Sequence, residues 1–369
     1  MRYHRLVELS PFPYQGPLAP EQVAGRDDMV TDLVHRLADH RVTVLLGPRR
    51  YGKTSLLRRV LRDLEQGGHT GVWIDLYALT SMADLAARLD DGLDGVRGPL
   101  RQLLGRIAAS TSLNLGAVKV ELRGGGRDRS DPALTVQALL DVLVRAAANT
   151  PVVLAVDEFS GISQVAGAAG ILRTGLQHHY QQIGLVFAGS EPSMMRTLFT
   201  AQAEPFYGQA DLVEIGPLSA VAVVEIVADG FAATGRAAGP VPDRVADFAA
   251  GHPQRSMQLA DAAWRMTDPA TAADRETWEL AIERVRHDVA GGLERLYAAL
   301  PVGQQKVLRA LAQTGSVYGR AARTHDLAKG TATSARATLL DHGHVRDVDG
   351  HTVIVDPLLA DWLRRRFPL

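Results

Sequence analysis

The chain alternates short apolar runs with amphipathic stretches. Met29, Leu33, Val34 and Leu37 recur at helical spacing and predict a helix over 26–40. Residues 42–46, Val-Thr-Val-Leu-Leu, form a β-branched apolar run that reads as a buried strand, and 53–64 return to helix. The alternation continues with a strand at 72–76, helices at 83–93 and 134–148, and a strand at 152–156. A helix at 165–180 and strands at 183–188 and 211–215 follow. Apolar strands separated by helices imply a parallel sheet covered on both faces, an α/β fold.

Other stretches lack this rhythm. Residues 10–22 are rich in Pro and Gly and read as an extended arm. Residues 96–131 are the least regular: Leu113, Leu115, Val118, Val120 and Leu122 suggest a strand or hairpin, and Gly124-Gly125-Gly126-Arg127-Asp128 a loop. After Pro217 the strands stop, and 218–290 are Ala-rich and helical. Residues 300–369 form a separate unit. A helix at 304–312 and two shorter helical stretches precede a hairpin at 345–355 with an Asp349-Gly350 turn, and a helix at 361–367 closes the unit. That is the order of a winged helix.

Composition narrows the picture. Of 369 residues, 40 are basic and 41 acidic, so no polybasic body coats nucleic acid by charge alone. Cys is absent, which removes disulfides, thiolate metal sites and a Cys nucleophile and fits a cytoplasmic protein. No apolar run approaches the ~18–20 residues of a membrane span. No secretory h-region follows the N-terminus, and no membrane insertion is expected. Lysine occurs only at Lys53, Lys119, Lys306 and Lys329, so a Lys inside a motif stands out.

Gly47-Pro48-Arg49-Arg50-Tyr51-Gly52-Lys53-Thr54 fits G-x-x-x-x-G-K-[ST], with a buried strand before it and a helix after it. The glycines let the backbone curl so that its N–H groups face phosphates, and the helix N-terminus adds partial positive charge. Lys53 would set a cation against the β- and γ-phosphates, while the Thr54 hydroxyl suits Mg²⁺. The strand at 152–156 runs into Asp157 and Glu158. Asp157 would hold Mg²⁺ through water, and Glu158 would orient and activate the attacking water. An acid after the metal ligand points to hydrolysis as well as binding. Ser190 ends the next strand and would be either a polar sensor beside the γ-phosphate or the N-cap of the helix that follows. Arg255, in Gly251-His252-Pro253-Gln254-Arg255, would either report the γ-phosphate or be a surface residue. Asn114 and Asn149 are the only asparagines and neither precedes Lys, so no guanine-reading Asn-Lys-x-Asp loop exists and ATP is favoured over GTP.

In addition, the arm 11–17, the Val23-Ala24-Gly25-Arg26-Asp27 segment and the stretch from Gly47 through Thr54 to Ser55-Leu56-Leu57 resemble the archaeal-type ATPases. That family belongs to the STAND branch of the AAA+-related P-loop NTPases. Val156-Asp157-Glu158-Phe159, Ala188-Gly189-Ser190, Gly251-His252-Pro253 and the C-terminal Val355-Asp356-Pro357-Leu358-Leu359-Ala360-Asp361-Trp362 continue the likeness in order. The resemblance implies a P-loop NTPase parallel-sheet core followed by a helical lid and a winged-helix domain. The divisions are 1–40 for the arm and first helix, 41–217 for the core, 218–295 for the lid and 296–369 for the winged helix. It further implies that Gly25 and Arg26 pass near the adenine, that Ser55 belongs to the phosphate-binding turn, and that Pro253 marks the lid's approach to the nucleotide. Many relatives carry an Arg after the counterpart of Phe206-Tyr207-Gly208, where this chain has Gln209-Ala210. Arg173 and Arg196 are the substitutes for such an arginine finger.

Two functions follow as expectations. One is a Mg²⁺-dependent ATPase acting as a molecular switch, with ATP and ADP as ligands and a protein partner or a second copy of the chain as its target. The other is an ATP-dependent DNA-binding regulator acting through the winged helix. From Gly319 to Leu369 eight Arg or Lys face six Asp, and Arg336 is the only cation of the expected recognition stretch 330–338. That balance favours a protein-directed use.

Overall fold

The computed structural model describes residues 8–96, 98–110, 131–319 and 323–368. The chain divides into two compact units. One comprises Ala19–Arg49 and Lys53–Ile215; the other takes in the arm up to Leu18, Arg50–Gly52 and the chain from Gly216 onward. The arm up to Leu18 and the helix that follows it fall in different units.

The first unit is built on five strands, β1 (Val42–Leu46), β2 (Thr70–Asp75), β3 (Val152–Asp157), β4 (Ile183–Gly189) and β5 (Asp211–Glu214). Their order is β2-β3-β4-β1-β5 and every pairing is parallel, the arrangement of a P-loop NTPase core. The interior strands β1, β3 and β4 are buried at every position, which is why they read as unbroken apolar runs, whereas β5 at the edge is partly exposed. The helices are α1 (Asp27–Ala38), α2 (Lys53–Gln66), α3 (Met82–Asp94), α4 (Gly98–Ser110), α5 (Pro132–Ala147), α6 (Ala168–Leu176) and α7 (Pro192–Thr200). The core holds an aromatic cluster in which Phe159, Phe187, Phe199 and Phe206 pack with ring centroids 4.5–5.7 Å apart.

Two departures from the expected pattern have local causes. The start of the irregular stretch 96–131 is helix α4, because Leu100, Leu104 and Ala108 recur every four residues and are buried in the core. The strand or hairpin expected through Leu113, Leu115, Val118, Val120 and Leu122, and the loop at 124–128, lie outside the described residues. The helix expected over 165–180 is shortened to α6, preceded by a 3₁₀ turn at Phe159–Gln164; Gly167, with φ of 79°, separates the two.

The second unit contains α8 (Ala220–Ala232), α9 (Val241–Ala249), α10 (Pro253–Arg265), α11 (Arg275–Ala299), α12 (Val302–Thr314) and α13 (Lys329–Asp341). The antiparallel hairpin β6 (Val345–Val348) and β7 (His351–Ile354) and then α14 (Pro357–Arg366) complete it. The hairpin turn falls on Asp349 and Gly350, both with positive φ, as a two-residue turn of this hand requires. A single hydrophobic cluster runs from Val227, Trp264 and Trp278 to Leu308, Leu339 and Leu363, so residues 218–295 and 296–369 share one core. The arm joins it. Phe12 is 1% exposed and packs on Phe231 at 5.7 Å, over Gly230, where an added Cβ would meet the Phe12 ring at 2.4 Å. Glu8 pairs with Arg236 at 2.8 Å, and the Arg236 guanidinium lies 4.4 Å from the Trp264 ring. Among the described residues no helix is long and apolar enough to cross a membrane.

Candidate functional site

The loop between β1 and α2 begins at Gly47, where a Cβ would lie 2.2 Å from the Ile215 side chain, so only glycine passes that point. Lys53 opens α2 and is 5% exposed. Its Nζ donates to the carbonyl oxygens of Gly47 at 2.8 Å and Pro48 at 2.9 Å. A cation is thus buried among backbone dipoles at a helix N-terminus. Burial pulls its pKa down to about 8, while the nearby charges of Glu158 and Asp157 oppose the shift. Ser55, the third residue of α2, is buried beneath the same turn.

The Thr54 hydroxyl donates to Asp157 Oδ2 at 2.7 Å. Asp157 ends β3 and is 3% exposed; burial pushes its pKa up against the hydrogen bond from Thr54. Asp75, at the end of β2, stands in register with it. Glu158 follows in a left-handed backbone conformation (φ 49°, ψ 41°). Its Oε2 accepts a hydrogen bond of 2.8 Å from the Ser190 hydroxyl. Strand β4, which carries Ser190 just past its end, lies between β1 and β3, so Lys53, Thr54, Asp157, Glu158 and Ser190 gather at the carboxyl ends of the central strands. Arg49 of the loop donates through Nε to Ser190 Oγ at 3.3 Å. The N-cap reading of Ser190 is corrected here: the N-cap of α7 is Glu191, without a side-chain cap bond, because the Ser190 proton is directed at Glu158.

Gly25 has φ of 68°, and Arg26 is the N-cap of α1. This segment is tied to α2 by Arg59, which donates to the carbonyl of Val23 at 2.7 Å and to Asp27 at 2.6 Å. Of the two arginines considered as fingers, Arg196 pairs with Glu214, and Arg173 is on α6 with its Nε buried and without a hydrogen-bond partner among the described residues.

In the second unit Pro253 is the first residue of α10 and His252 its N-cap, Nδ1 accepting from the Arg255 N–H at 3.3 Å. Burial pushes the His252 pKa down to about 4, so the ring is neutral and free to accept. Its ring meets that of Tyr51 edge-on at 5.1 Å; Tyr51 belongs to Arg50–Gly52, the loop tip that groups with this unit. Arg255 departs from the surface-residue expectation. It is buried, not a surface residue, and its guanidinium is held by Asp356 at 2.6–3.2 Å and by Gln258 at 2.6 Å. Asp356 also caps α14 by accepting from the Leu358 N–H at 3.0 Å.

Sequence reasoning missed Asp75, Asp356 and the Arg49 contact. The strand-terminal acid in Trp73-Ile74-Asp75 was the available signal for the first, and an Asp-Pro helix start for the second. Arg49 carried none.

Residues 36–193 match the AAA domain family. No curated protein matches the chain. The fold is similar to that of the Walker-type ATPase of Pyrococcus abyssi, with TM-score 0.73 and 20% identity over 96% of this chain and 99% of that one. It is also similar to the Aeropyrum pernix ORC2 protein in ADPNP–ADP complexes, with TM-score 0.59 and 13% identity over 97% and 98% of the two chains. The Aeropyrum pernix ORC1 protein in complex with DNA gives TM-score 0.51 and 14% identity over 93% of each chain. At such identities the likeness is one of fold. Sheet order and the phosphate-loop motif give the first unit the fold of a P-loop NTPase core, within which residues 36–193 match the AAA domain model.

Proposed function

We propose that the chain binds ATP with Mg²⁺, hydrolyses it and uses the nucleotide as a switch. The observation that carries this reading is the gathering of a buried lysine, a threonine–aspartate pair and a second carboxylate at the carboxyl ends of the central strands. The donor set fits the proposed ligands. Thr54 and Asp157 offer two hard oxygens 2.7 Å apart, suited to Mg²⁺, and among the described residues the buried Lys53 cation has only carbonyl oxygens as hydrogen-bond partners, which leaves its charge open to an anion. Bound Mg²⁺ would supply charge neutralisation for the phosphates.

The chain's own groups would do the rest. Lys53 and the backbone N–H groups at the start of α2 hold phosphate oxygens. Thr54 and Asp157 would hold the metal. Glu158 orients a water molecule and takes its proton on a carboxylate oxygen, while Ser190 keeps that carboxylate in place. Gly25 and Arg26 would pass the adenine. We read the helices and hairpin from Gly216 onward as lid and winged helix of a STAND-type ATPase, acting on the core, on a protein partner or on a second copy.

DNA binding by this module has less support. Arg336, the one cation of the stretch 330–338, is engaged by Asp347 at 2.6 Å and Thr352 at 2.7 Å.

The test is a pair of variants. Lys53→Ala should abolish tight binding of a fluorescent ATP analogue. Glu158→Gln should keep binding and lose turnover by ~10²–10⁴-fold, since an amide takes no proton. Binding unchanged in the first, or parent-rate hydrolysis in the second, would overturn the assignment.

A further inference from the structure

We propose that Arg49 is a positioning residue for the water-activating carboxylate, acting on Glu158 through the Ser190 hydroxyl and not on phosphate. The inference rests on the hydrolytic reading above and adds a residue to it.

Two cations of the loop behave oppositely. Lys53 turns inward and is buried; the Arg49 side chain runs outward, 68% exposed, to the end of β4. There its Nε donates to Ser190 Oγ at 3.3 Å, and its Nη2 lies 3.6 Å from the Glu191 carboxylate, so consecutive residues hold the guanidinium. Sheet topology creates the meeting. Leu46 of β1 is in register with Gly189 of β4, which sets the loop beside Ser190, and β4 pairs on its other side with β3, which leads into Glu158.

The chemistry has a direction. A serine hydroxyl has one proton and two acceptor lone pairs. The hydroxyl donates its proton to the Glu158 carboxylate, so the serine oxygen is left to accept, and only a donor can stand on that side. Arg49, always charged, is a donor that cannot reverse. It therefore fixes the rotation of the hydroxyl and, by polarising it, strengthens the bond to the carboxylate. Glu158 needs that hold, because it lies beyond the last paired residue of β3 in a left-handed turn.

The experiment uses the full chain and four variants, with steady-state ATP hydrolysis and equilibrium binding of ADP and of ADP–aluminium fluoride. Arg49→Met should lower kcat about 2- to 5-fold, the range an exposed charge pair can supply. KM and ADP affinity should stay within about twofold, and affinity for ADP–aluminium fluoride should fall with kcat. Arg49→Lys should recover part of the loss. In a Ser190→Ala background Arg49→Met should cost nothing more. A raised KM with weakened ADP binding and intact kcat would make Arg49 a phosphate ligand and overturn the proposal. An equal loss in both backgrounds would remove Ser190 from the path and overturn it too. A wild-type chain that binds ADP but neither turns over ATP nor binds ADP–aluminium fluoride would instead refute the hydrolytic reading, and this proposal with it.

Discussion

Replacing Asp356 with Ala should destabilise the C-terminal unit by about 4 kcal/mol. The magnitude follows from what the carboxylate does. Its side chain is 23% exposed and faces the Arg255 guanidinium, 7% exposed, through contacts of 2.6, 3.1 and 3.2 Å. Removing one partner of a buried pair leaves an uncompensated charge and costs ~3–5 kcal/mol; the partial exposure of Asp356 puts this case at the lower end. Losing the helix cap on Leu358 adds about 1 kcal/mol. Asp356→Asn retains a cap and a neutral acceptor and should cost about half as much. Urea unfolding followed by tryptophan fluorescence is the assay, because Trp264, Trp278 and Trp362 report the C-terminal unit and only Trp73 lies in the core. With a slope near ~2 kcal/mol per molar urea, the midpoint should fall by roughly 2 M. The double variant Arg255→Ala/Asp356→Ala should lose less than the sum of the single ones. A midpoint shift below about 0.5 M would mean that the pair behaves as a surface bridge, and the argument from burial would fail.

Further outcomes can be checked in the same way. His252 has a folded pKa of about 4, well under the 6.5 of a free histidine. The unfolded chain therefore takes up a proton from pH 6.5 downward while the folded one does not, and stability present above 6.5 is lost as pH falls to about 4, by roughly 3 kcal/mol in all. His252→Asn, which still caps α10, should flatten that acid slope between pH 7 and 4.5; an unchanged slope would acquit His252. Phe12→Ala should cost ~3–5 kcal/mol in the C-terminal unit by emptying the socket over Gly230, measured as a fall in the urea midpoint. Gly47→Ala should displace the loop from Ile215 and weaken ATP-analogue binding at least tenfold, about 1.4 kcal/mol, and parent affinity would refute the close-approach argument.

Much of the core is legible in the residues alone. The interior strands are buried at every position and largely apolar because both their faces are covered, and the glycines and lysine of the phosphate loop sit between such a strand and an amphipathic helix. These signals are local, carried by neighbours in the chain. The same holds for Asp157 and Glu158 at a strand end and for the Asp349-Gly350 turn, where backbone conformation selects the residue type.

What the tertiary structure decided involves partners far apart in sequence. Arg255 meets Asp356 101 residues away, and its helix position alone does not distinguish a phosphate reader from one half of a buried pair. The hydroxyl of Ser190 suits a helix cap equally well until β4 is seated beside β3 and a carboxylate claims its proton. Phe12 lies in a Pro-rich arm with no periodicity to mark it as core; only the groove over Gly230, more than 200 residues later, gives it a place. A side chain's exposure and its hydrogen-bond partner depend on what the folded chain brings against it, and local pattern carries no record of that choice.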